Sequence, residues 1–79
     1  MFERIDIIFR NIEDIRDDIN ILLAMAKISM LDYIMIKRGS QDMPETLTFT
    51  LLGQIDVEVE KLKKEIDALN KLKREMLVF

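Results

Sequence analysis

The chain has 79 residues, 12 Lys+Arg against 15 Asp+Glu for a net charge of −3, 49% hydrophobic residues, two glycines, one proline and no cysteine, histidine or tryptophan. That length holds one small domain with a single core. Without cysteine there is no disulfide framework, thiolate metal site or cysteine nucleophile, and a cytoplasmic setting is the expectation. Without histidine, Ser-His-Asp triads, HExxH zinc sites and the Glu-x-x-His pairs of di-iron bundles are excluded.

An enzyme would have to work with carboxylates, Lys27 or Tyr33 alone, and none of these stands in a catalytic spacing. The expectation is a non-enzymatic protein with no cofactor, metal or small-molecule substrate. Glu3, Arg4 and Asp6 break up the first six residues, so no export signal is read there. The stretch from Ile19 to Ile36 is about as long as a membrane span, but Asn20, Lys27, Ser29 and Asp32 are spread around it, which suits a helix buried in protein.

In chain order, Ile5, Ile8, Ile12, Ile15, Ile19, Leu22, Ala26, Ser29, Tyr33 and Ile36 recur in steps of three and four. Only Ser29 among them is not apolar, and the spacing predicts one long helix over about 2–38. Its stop is Lys37-Arg38-Gly39: two cations at the negative end of the helix dipole, then a glycine free to adopt the left-handed conformation. A turn at 39–42 follows. Asp42-Met43-Pro44-Glu45 then reads as an N-cap acid, a first-turn proline and a glutamate three residues on, which starts a second helix over about 43–77. Its seam is Leu52, Ile55, Val59, Leu62, Ile66, Leu69, Leu72 and Met76.

Residues 45–51 alternate polar and apolar, and their threonines favour a strand. Pairing the two seams argues for helix instead, because facing positions from Ile5 with Leu77 to Tyr33 with Leu52 have numbers summing to 82–85, as a turn centred on 39–42 requires. Gly53 then lies opposite Leu31, either to admit a bulky neighbour or as a tolerated helix-weakening residue. The expected fold is all-α: a single domain, 1–79, forming an antiparallel two-helix hairpin of coiled-coil type.

A hairpin with one seam leaves a second apolar stripe uncovered, made of Ile21, Ala24, Met25, Ile28, Leu31, Ile34 and Met35, with Leu47, Phe49, Leu51 and Val57 at the same end. So large a patch calls for a partner. The simplest closure is a homodimer in which two hairpins form a four-helix bundle, and another protein is the second expected partner. Met25, Met30 and Met35 suit a surface that accepts several partners, although filling gaps in a core is the preferred account. The function read from this is a protein–protein interaction module, an adaptor, accessory subunit or regulator.

Charge is unevenly spread: residues 39–60 hold five acids and no cation, whereas 61–79 hold six cations and three acids. In the hairpin register Glu13, Asp14, Asp17 and Asp18 face the run from Lys61 to Lys73, adding specificity at about 0–1 kcal/mol per exposed pair. The same four acids lie on a helix with no loop to wrap a cation, so they read as solvated charge. Met1-Phe2 and Leu77-Val78-Phe79 meet at the open end, with Phe79 a candidate contact for another protein.

The heptad seams, glycine stop and capped second helix together resemble, in shape, the Rop family of plasmid RNA-binding regulators, whose two-helix subunits pair into four-helix bundles. The resemblance covers the architecture alone and carries no residue motif; the alternative function, nucleic-acid binding, is read from the basic array of the second helix, with Lys61, Lys64 and Lys71 as the candidate contacts. Glu60, Glu65, Asp67 and Glu75 dilute this cluster, and no aromatic interleaves it for base stacking.

Overall fold

The computed structural model describes residues 2–77, in which three helices follow one another: α1 Phe2–Ala26, α2 Met30–Lys37 and α3 Phe49–Leu77. The expected two-helix hairpin is therefore corrected to three helices. The terminal cluster read from Met1, Val78 and Phe79 and the Phe2 side chain lies outside the described residues.

The first helix of the expectation breaks after Ala26. Lys27 takes the left-handed conformation, φ 56°, usually reserved for glycine. Its N–H donates to the Ala24 carbonyl, and the Ile28 N–H reaches back to the Leu23 carbonyl, both at 3.1 Å. These two hydrogen bonds satisfy carbonyls that a helix end leaves free. Ser29, the one polar residue of the seam, then caps α2. Its hydroxyl accepts from the Asp32 N–H at 3.0 Å, and the Asp32 carboxylate accepts from the Ser29 N–H at 2.9 Å. With a stop and a start this close together, α2 leaves α1 at 79°.

Eight residues are too few for a helix to persist alone in water, so α2 depends on what it packs against. Tyr33 is buried at its centre, and Ile28, Ile34 and Ile36 pack on the same core. The Gly39 stop is where the sequence places it: φ is 75°, the Gly39 N–H bonds the Ile36 carbonyl at 3.0 Å and the Ser40 N–H bonds the Met35 carbonyl at 2.9 Å.

The second start is also corrected. Residues 42–48 are not helical, and α3 begins at Phe49. Thr48 rather than Asp42 supports its first turn, the hydroxyl accepting from the Leu51 N–H at 3.1 Å and the carbonyl from the Leu52 N–H at 2.9 Å. Pro44 disfavours helix in the residue before it. The chain instead makes a turn, with the Leu47 N–H on the Pro44 carbonyl at 3.1 Å. That turn buries Leu47 against α1 and lets the Thr46 hydroxyl donate to the Ala26 carbonyl. A straight helix through 43–48 would forgo both.

The core consists of Ile19, Leu23, Ala26, Tyr33, Leu47 and Ile55, with Leu72 buried further along α3. α1 and α3 run antiparallel, but in a slid register. Asn11 donates to Glu65 at 3.4 Å, and Ile8 shares a surface hollow with Leu72. The expected pairing puts Asn11 opposite 71–74 and Ile8 opposite Met76, one to two turns away. The bend after Ala26 and the irregular 42–48 move the centre of the connection, and the register moves with it.

The result is long and thin, 51 × 22 × 16 Å, with a radius of gyration of 15.3 Å. A compact chain of this length would have a radius of about 12 Å. Over most of its length the molecule is one layer, two helices side by side, whereas stable domains are built from two or more.

Candidate functional site

The residues expected to form an interface divide in two. Ile28 in the link before α2, Ile34 of α2 and Leu51 at the start of α3 pack against the core, and Met35 is half-buried. Ile21 and Met25 (each 59% exposed), Leu31 (67%) and Phe49 (82%) stand in solvent, as do Ala24 and Val57 (55%). The coiled-coil hairpin, and with it a four-helix bundle made of two such hairpins, is corrected here too, since each chain has three helices and Ile28, Ile34 and Leu51, assigned to a shared core between copies, pack inside one chain. Leu47, placed in the patch by its sequence, is likewise buried.

A hairpin has two flanks, and α2 treats them differently. On one, Met30 of α2 lies beside Arg16, Ile19, Asn20 and Leu23 of α1 and Leu62 of α3, while Tyr33 and Lys37 reach Asp56. On the other, α1 and α3 leave a groove of about 390 Å³ lined by Asp18, Ile21, Leu22, Gln54, Val57 and Glu58. Glu58 is the unusual group in it. Its side chain is only 16% exposed, and Oε1 accepts from Lys61 at 3.1 Å while Oε2 is buried with no partner. A buried acceptor without a donor is costly and rare in folded proteins. Sequence reading missed Glu58 because it takes one position beside the seam residue Val59 and looks like any solvated acid.

The lysines of the nucleic-acid alternative, Lys61, Lys64 and Lys71, are exposed along α3. Lys61 is held by Glu58, and Lys63 pairs with Glu60 at 3.4 Å. Among the described residues no ion pair joins Glu13, Asp14, Asp17 or Asp18 of α1 to the α3 lysines; Lys61 and Lys63 pair within their own helix instead. Among the described residues no group of three or more carboxylates is placed to hold a metal ion. No single helix among them is long and apolar enough to cross a membrane, and the apolar stretch from Ile19 to Ile36 is split by the 79° bend.

These features define a small all-α protein, an antiparallel helix pair with a short third helix folded over one end and one flank. The chain belongs to the family described as protein of unknown function (DUF2443), which it matches over residues 1–79. Two uncharacterized proteins of Helicobacter pylori, from strains 26695 and J99, are each 48% identical to it over 79 residues, covering 100% of both chains. The 1.6 Å crystal structure of HP1531, a protein of unknown function from Helicobacter pylori, is similar to it with a TM-score of 0.91 at 46% identity, over 96% of this chain and 92% of that one.

Proposed function

We propose that this protein is a non-enzymatic protein–protein interaction module of the cytoplasm, whose single helical layer is completed by another polypeptide. The observation that carries this reading is its surface. The chain exposes 6118 Å² for a mass of 9.3 kDa. A folded monomer of that mass exposes about 5,000 Å², so the excess is about 1,100 Å². Each partner in a standard protein interface buries about 800 Å². The excess is also chemically suited to burial, because Ile21, Met25, Leu31, Phe49 and Val57 are all more than half exposed.

The test is photo-crosslinking in the native cell. A crosslinking side chain is placed in turn at Leu31, Phe49 and Val57, and at Lys73 on the charged surface as a control. The expected result is a discrete crosslinked protein from one or more of the apolar positions and none from Lys73. Equal, diffuse labelling from all four positions, or none, overturns the reading.

A further inference from the structure

The groove between α1 and α3 that α2 leaves open has a chemical character that selects its occupant. Asp56 and Glu58 are two residues apart on α3, so they project to opposite sides, about 160° around the helix from each other. Asp56 is engaged by Tyr33 and Lys37 of α2. Glu58 faces the open flank, between exposed Ile21 and Val57, with Oε2 buried and unpaired.

Resting on the interaction-module reading above, we propose that this groove is the docking site for a basic amphipathic helix of a different protein, with an apolar stripe on Ile21, Leu22 and Val57 and an Arg or Lys on Glu58 and Asp18. Three arguments converge on that occupant. A furrow between two antiparallel helices has the shape that accepts a third helix, ridges into grooves. The lining holds two carboxylates and no cation, and the nearest lysine, Lys61, is already bonded to Glu58 through Oε1. Once the Glu58 side chain turns toward the groove, a cationic donor from outside would give Oε2 the partner it lacks and neutralise Asp18 as well. A second copy of this chain fits less well, because two-fold packing of the groove on itself brings Asp18 and Glu58 of both copies into one interface.

The test uses the full chain and two synthetic 18-residue helical peptides with the same leucine and alanine stripe, one flanked by arginines and the other by glutamates. Methyl NMR signals of Ile21, Leu22 and Val57 report the groove, and those of Leu31 and Met30 report α2. The arginine peptide is expected to shift the groove signals and to bind at least tenfold more tightly than the glutamate peptide. Glu58→Gln is expected to weaken it about tenfold, and Val57→Glu to abolish the shifts, with helicity by circular dichroism unchanged in both variants.

Equal binding of the two peptides, shifts confined to α2, no shift at millimolar arginine peptide, or a self-dimer closed through Val57 overturns the assignment. The crosslinking experiment separates the two ideas. A protein captured from Leu31 or Phe49 while the groove ignores the arginine peptide leaves the module reading standing and removes this one. No capture from any apolar position removes the module reading itself.

Discussion

The Tyr33 hydroxyl donates to Asp56 Oδ1 at 2.5 Å, while Lys37 holds the other oxygen of the same carboxylate at 3.1 Å. One carboxylate of α3 thus secures two consecutive turns of α2. The Lys37 pair is largely solvent-exposed and worth about 0–1 kcal/mol, so the buried tyrosine is the stronger tie. Tyr33→Phe keeps the ring and loses the bond to a charged acceptor, with an expected cost of about 1.5–3 kcal/mol. Tyr33→Ala also leaves a cavity beneath α2 and is expected to cost about 3–5 kcal/mol. Urea unfolding of both variants checks the order, and a Tyr33→Phe protein as stable as the parent would mean that the bond contributes nothing.

Tyr33 is the chain's single tyrosine, so its ionisation can be followed without interference. Burial pushes the phenol well above its ordinary value near 10, and the bond to Asp56 and the negative charges of Asp56 and Glu60 push it the same way. The folded state therefore holds the proton more tightly than the unfolded state. By linkage, the corresponding stability is fully present below pH about 10 and is lost as the pH rises beyond it toward the folded-state value. Tyrosinate absorbance is expected near pH 10 in urea and only at higher pH in the native protein. Coincident titrations would show that Tyr33 is not buried against Asp56.

Asp32 predicts a sensitivity at the opposite end of the scale. The backbone N–H of Ser29 holds its carboxyl below the ordinary value, helped by the Gln41 side chain at 3.2 Å and the Ser29 hydroxyl. That contribution is present above pH about 4 and is lost as acid titrates the group. Ser29→Ala removes the other half of the capping box and is expected to cost about 1 kcal/mol. Hydrogen exchange should show the loss in the amides of α2 before those of α1. Uniform loss across the chain would mean that α2 does not open on its own.

Backbone conformation predicts opposite signs at three positions. Lys27 sits at φ 56° and Gly39 at φ 75°, where a side chain is strained. Lys27→Gly is expected to stabilise by about 0.5–1 kcal/mol and Gly39→Ala to destabilise by a similar amount or more. Gly53 lies inside α3 with open space around the position of an added Cβ, so of the two readings of this glycine the close-packing one is corrected. Gly53→Ala is expected to stabilise by about 0.5–1 kcal/mol. Thermal melts of the three variants test the pattern of signs.

The seam makes a prediction about unequal weight. Ile55 is fully buried, whereas Ile66, three turns further along the same pattern, is 41% exposed. Ile55→Ala is expected to cost about 2–5 kcal/mol and Ile66→Ala less than about 1. In a domain this small the first is a large part of the total stability. Equal costs would mean that the helix pair is packed equally along its length.

The three-and-four spacing of isoleucine and leucine by itself determined that the chain is helical and that a helix stops at Gly39, and it put Ile19, Ala26, Tyr33, Ile55 and Leu72 of the core on the seams, whereas the equally buried Leu23 lay on neither stripe. These are local properties: period, propensity and a residue without a Cβ. The sequence also carried the capping box of Ser29 and Asp32, but an unbroken seam ran through it, and the left-handed residue in front of it is a lysine. A bend therefore had no glycine to announce it. Asp42 and Glu45 formed an equally good local start signal that goes unused, because Leu47 is buried only if the chain turns at Pro44. Only the tertiary structure decided between such signals. Burying Tyr33, Leu47 and Ile28 over one end of the helix pair outweighs continuing either helix, and that choice set the slid register, left one flank open and put Glu58 in it.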